Sequence, residues 1–143
     1  MQIDIFNYEL SAILTNFSVL QPNGFAAKVF LKEIIHKLHS YELAYDSTIT
    51  SRLKQLAKLY NLQFDTKQNT TVYVEWKKAR KLIQKWSNIR NNATGHYHPN
   101  VSLQVDAIEK VDVFEVLDCV VAFISYNDDL TKRFGKSFYE RKN

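Results

Sequence analysis

Ile3, Phe6, Leu10, Ile13, Phe17 and Leu20 follow one another at intervals of three, four, three, four and three residues. A helix turns once in about 3.6 residues, so this spacing lines all six along one stripe. An unbroken heptad-type stripe has to be buried against a near-antiparallel neighbour, and that requirement points to a helical bundle. The rhythm returns at Val72, Trp76, Ala79, Ile83, Trp86, position 90 and Ala93, spaced four, three, four, three, four and three. One position of this second stripe is wrong for a core: residue 90 is Arg90.

The remaining segments fit between these two. Gln21-Pro22-Asn23-Gly24 reads as a turn, because Pro22 cannot continue a helix and Gly24 tolerates positive φ. A second helix is expected over residues 25–41, with Phe30, Leu31, Ile34, Ile35 and Leu38 buried. Its His36 and His39 stand at i, i+3 on a polar edge; a metal pair there would need further ligands, and none is near in sequence. Asp46 or Ser47 can cap a third helix carrying Ile49, Leu53, Leu56, Ala57 and Tyr60, which ends near residue 62. Residues 65–70 are polar and read as a flexible loop. The fourth helix spans 72–93. A fifth spans 101–127 and is apolar on most sides from Val111 to Ile124, as suits a helix at the centre of a bundle or at a subunit interface. The basic tail, 132–143, either frays or folds as a short docked segment. The expectation is an all-α fold: one domain over 1–143, an antiparallel bundle of about five helices.

Composition narrows the function classes. At 143 residues the chain can bury a true core without disulfides or metals. Its single cysteine, Cys119, permits no intramolecular disulfide and suggests a reducing, cytoplasmic setting. Cys119 lies in an apolar run, which suits a buried, inert thiol better than a nucleophile. No apolar run is long enough to span a membrane, and the acidic start of the chain does not read as a signal peptide. A net charge of +4 suits an anionic partner. Much of that charge sits on the fourth helix, where Lys77, Lys78, Arg80, Lys81 and Lys85 are offset by Glu75 alone.

The chemistry-bearing residues gather between the fourth and fifth helices, in Trp86-Ser-Asn-Ile-Arg-Asn-Asn-Ala-Thr-Gly-His-Tyr-His-Pro-Asn100. A charge on an apolar seam is costly unless paired or solvated. Arg90 therefore pairs with an acid of the fifth helix, or lines a cleft and meets an external anion; a guanidinium suits phosphate through its planar fork of donors. On a continuous helix His96 would face away from Arg90, but a helix ending at Gly95 lets the chain fold back. Asn91 and Asn92 add neutral donors and acceptors. His98 is either a second titrating group or an exposed loop histidine. His-x-His alone does not make a zinc site, so neither metal nor cofactor is expected.

Arg90-Asn91-Asn92-Ala93-Thr94-Gly95-His96 resembles the R-x4–6-H motif of HEPN domains, which carry a polar residue directly after the arginine. The resemblance implies a metal-independent endoribonuclease, a homodimer in which two motifs share one cleft. Some family members are toxins or phage-defence effectors. Carried over, Arg90 would stabilise the charged phosphorane, His96 would transfer protons, and Asn91 would position the phosphate or the arginine. Either two copies of His96, or His96 with His98, would supply base and acid. Lys77, Lys81, Lys85, Asn92 and Tyr97 would contact RNA. Certain toxins of the family are silenced by an antitoxin that modifies a tyrosine two residues after the motif histidine. Here that position is His98, and the tyrosine is Tyr97, so this route does not fit. The competing reading is a non-catalytic HEPN-like module that binds RNA or protein.

Overall fold

The computed structural model of the chain describes residues 2–65, 71–86 and 101–142. Among them every regular element is helical. They are α1 (Gln2–Leu20), α2 (Gly24–Ala44), a π-helical segment (Tyr45–Thr50), α3 (Ser51–Leu59), α4 (Thr71–Lys85), α5 (Val101–Glu109) and α6 (Val113–Lys142). No helix among the described residues is long and apolar enough to cross a membrane.

The pairings fix the topology. Phe6 stacks on Tyr41, Lys37 bonds Glu9, and Phe17 meets Phe30 edge-on, so α1 runs antiparallel to α2. Lys85 faces Glu115, Cys119 faces Ala79 and Trp76 stacks on Tyr126, so α4 runs antiparallel to α6. Lys28 reaches the carbonyl of Glu109 just before α6, while Tyr41 bonds Asn127 well along it. Thus α2 and α6 run parallel, and α1 and α4 run opposite to both. The central pair fills the core: Leu31, Ile34, Ile35 and Leu38 from α2 pack with Val116, Val120, Phe123 and Leu130 from α6.

The α1 stripe behaves as expected at its start, where Ile3, Phe6 and Leu10 are buried. It fades at its end, where Leu20 is exposed. Gly24 adopts φ +52°, the left-handed conformation its turn requires. The third helix differs from expectation. No cap forms at Asp46 or Ser47, because Ala44, Tyr45 and Thr50 all keep right-handed helical dihedrals and the chain passes through a π-helical turn into α3. Asp46 instead accepts a bond from Arg80, and Ser47 bonds back to the Leu43 carbonyl. α3 then closes in a Schellman motif: Asn61 takes φ +52°, Leu62 N–H donates to Ala57 O at 2.7 Å, and Asn61 N–H donates to Lys58 O at 3.1 Å.

The fifth helix is also not continuous. It breaks between Glu109 and Val113, where the Asp112 carboxylate accepts the Phe114 N–H at 2.8 Å and caps α6. Val111 before the cap and Val116 after it are both buried, a hydrophobic staple that sets the angle between α5 and α6. The basic tail is helical through Lys142. Arg133 bonds the Asp65 carbonyl, Ser137 bonds the Gln63 carbonyl, and Phe134 meets Phe64 edge-on.

Candidate functional site

Residues 87–100 link the end of α4, at one pole of the bundle, to α5. The Lys85–Glu115 contact puts the end of α4 beside the start of α6. Val105 and Ile108 of α5 line a small apolar cavity with Gly24 and Phe25 at the start of α2. That pole is therefore built from the last turn of α4, α5, and the first turns of α2 and α6. Arg90, Asn91, Asn92, His96, Tyr97 and His98 lie outside the described residues, as do residues 66–70 of the loop expected over 65–70. The three expected RNA-contacting lysines, Lys77, Lys81 and Lys85, are described, and all three are exposed on α4.

α4 is held by its other face. Trp76, Ala79, Ile83 and Trp86 are buried, in the rhythm their spacing demands. Trp76 stacks on Tyr126 with centroids 4.1 Å apart and planes 12° apart. Arg80 fixes the rotation of the helix. Its Nε and Nη2 donate to Glu42 Oε1 at 3.0 and 2.7 Å, and Nη2 also donates to Asp46 Oδ2 at 2.7 Å. Its guanidinium lies 4.8 Å from the Trp76 ring centroid and 5.6 Å from that of Tyr45. Burial works against the Arg80 charge, but the bonds it donates to Asp46 and Glu42 outweigh it, and the group is held more firmly protonated than usual. The helical path runs on without a break from α2 through Tyr45, so Asp46, one turn beyond Glu42, reaches the same guanidinium.

The cations of α4 are not equivalent as anion ligands. Arg80 is spent on two carboxylates and two rings. Lys78 bonds Glu75 at 2.8 Å. Lys85 lies 3.7 Å from Glu115, a loose and exposed pair worth little. Lys77 and Lys81 have no acid within ion-pair distance among the described residues; Lys77 rides 5.7 Å from the Tyr73 ring. They stand at i, i+4, one turn apart on the outer surface. Among the described residues these two are the cations of α4 without an acidic partner.

Other candidates resolve simply. His36 is exposed and His39 half-buried on α2. Among the described residues no three His, Cys, Asp or Glu side chains converge as metal ligands do. Cys119 is buried against the Ala79 carbonyl, 3.6 Å away, and burial pushes its thiol up from the ordinary 9.0 to about 12. Such a thiol is inert at neutral pH. Sequence reasoning missed the Arg80 clamp. The signal was available in part: Glu42 and Asp46 are one helical turn apart, but only the unbroken helix through residue 45 makes them neighbours.

No family model matches this chain, and neither a curated protein nor a solved structure matches it. The family expectation therefore rests on the motif residues themselves.

Proposed function

We propose that this chain is a HEPN-like, metal-independent endoribonuclease whose site is shared across a homodimer, in the manner of a toxin or phage-defence effector. One observation carries the reading. In the sequence that continues from α4, Arg90 and His96 stand in an R-x5-H pattern; α4 is clamped from behind and presents two lysines, Lys77 and Lys81, with no acid at ion-pair distance among the described residues. A strand of RNA held by Lys77 and Lys81 along α4 is delivered toward the pole where the motif segment is attached. Cleavage then uses the RNA 2′-hydroxyl as nucleophile, leaving a cyclic phosphate and a free 5′-hydroxyl. It needs a base for the attacking hydroxyl, an acid for the departing oxygen and a cation for the charge that develops at phosphorus. His96, from two subunits or together with His98, serves the first two roles, and Arg90 the third. Asn91 orients the phosphate or the guanidinium, and Asn92 and Tyr97 contact flanking nucleotides.

The experiment is RNA cleavage by purified protein in excess chelator. His96→Ala is expected to reduce the rate by about 10²–10⁴-fold with unchanged circular dichroism. Retardation of RNA without cleavage, equal in wild type and His96→Ala, would sink the enzyme and leave the non-catalytic RNA-binding module, which the free Lys77 and Lys81 support by themselves.

A further inference from the structure

We propose that the cavity between the start of α2 and α5 binds a small aromatic carboxylate, its ring among the apolar walls and its anion on Lys28. This site is independent of the RNA-cleaving reading, and its test needs no RNA. The cavity has a volume of about 220 Å³. An apolar cavity of about 150 Å³ already takes up benzene, so one ring with a short polar arm is the right size here. Phe25, Val105 and Ile108 supply the apolar walls. Ile108 is buried, whereas Phe25 is 69% exposed, an aromatic ring that the bundle itself leaves mostly uncovered. No atom lies within 4 Å of the place a Cβ on Gly24 would take, so the turn leaves its side of the cavity open.

The polar groups select the charge of the ligand. Lys28 is half-buried at the cavity, and its Nζ donates to the Glu109 carbonyl at 3.3 Å. That bond is long and uses one of the three ammonium protons. Among the described residues no acid lies within ion-pair distance of Lys28, so its charge is uncompensated at contact. The first turn of α2 also lines the cavity and has no side-chain cap on its amides, so the helix dipole adds to the same sign. Glu109 is the one acid in the lining; its carboxylate is exposed, and its repulsion of a bound anion is screened by solvent. An amine would meet Lys28 charge to charge. Bare phosphate would leave the apolar walls uncovered, and bare hydrocarbon would leave the ammonium unused. A carboxylate on an aromatic ring satisfies both parts of the site.

The test is a titration of the full-length protein followed by the methyl resonances of Val105 and Ile108. The probes are phenylacetate, benzyl alcohol and benzylamine, similar in size and different in charge. Phenylacetate is expected to bind with a dissociation constant of about a millimolar or tighter, and benzylamine at least about tenfold more weakly. Lys28→Met should weaken phenylacetate about five- to tenfold and leave benzyl alcohol unchanged. Glu109→Gln should tighten phenylacetate, because it removes the opposing charge. Neither side chain belongs to the core, so both variants should keep the wild-type circular dichroism. Val105→Phe, which fills the cavity, should abolish binding of every probe. Methyl resonances that do not move at about 10 mM phenylacetate overturn the proposal. So does phenylacetate that binds no better than benzylamine, or that binds Lys28→Met as tightly as wild type. None of these outcomes depends on whether the chain cleaves RNA.

Discussion

Asn127 is the one fully buried polar residue among the described side chains, and its two ends are both used. Its Oδ1 accepts from the Tyr41 hydroxyl at 2.8 Å, and its Nδ2 donates to Asn7 Oδ1 at 3.0 Å. One amide thereby ties α6 to α2 and to α1. Beside it the Tyr45 and Tyr126 hydroxyls share a 2.7 Å bond. A buried polar group contributes little net stability while satisfied, but it is costly to orphan. Asn127→Ala removes the partner of two groups at once. We expect a loss of about 2–3 kcal/mol in urea unfolding; a loss below about 1 kcal/mol would mean that the network adds little to the register of these helices. Double substitution with Tyr41→Phe should cost less than the sum of the two single changes, because the tyrosine hydroxyl is no longer there to be stranded.

At the scale of elements, the cations of α4 are separated by what already holds them, and the proposed RNA contact makes that a test. Lys77→Ala and Lys81→Ala should each weaken RNA binding several-fold and lower the salt dependence by roughly one counterion. Lys78→Ala should do less, because Glu75 already cancels that charge at contact. Equal losses at Lys77, Lys78 and Lys81 would show that local pairing does not govern the contact. Glu42→Ala should act differently, lowering stability by about 2 kcal/mol through the loosened Arg80 clamp. The helices themselves were legible because their cores are periodic: Leu31 to Leu38 and Trp76 to Trp86 are buried as their spacing dictates. What the periodicity hid was punctuation. Asp112-Val-Phe-Glu115 is a capping sequence, but an apolar run on both sides of it reads as one helix, and only the inward turn of Val111 splits α5 from α6. Conversely, the capping residues Asp46 and Ser47 sit inside a helix, since Asp46 finds its partner in Arg80, far along the chain. The motif residues were read from their types and spacing alone, and they lie outside the described residues. The lysines that flank them could be found in the sequence, but not ranked, because ranking depends on which acids fold beside them.

On the scale of the whole molecule, the bundle is a parallel central pair, α2 and α6, with α1 and α4 packed outside it, and its interior holds acidic protons as well as methyl groups. Burial raises the hydroxyls of Tyr41, Tyr45 and Tyr126 above their ordinary 10.0, and the Cys119 thiol from 9.0 to about 12. Each group is neutral in the folded chain at a pH where the unfolded chain has already ionised it. Above about pH 9 the unfolded state binds fewer protons than the folded state, so stability falls as pH rises. The stability due to the thiol is fully present below 9.0 and is lost as the pH climbs toward about 12. The tyrosines add to the decline from about 10.0 upward. Urea midpoints measured from neutral pH into the alkaline range should therefore be level up to about pH 9 and then fall steadily. In Cys119→Ala the onset should move up by about one unit, toward the ordinary value of tyrosine, whatever cavity the substitution leaves. A wild-type midpoint that stays level through about pH 11 would mean that these groups ionise in the folded bundle as easily as in the open chain. The close packing of α4 on α6 around Ala79, Cys119 and Tyr126 would then be looser than the contacts between them imply.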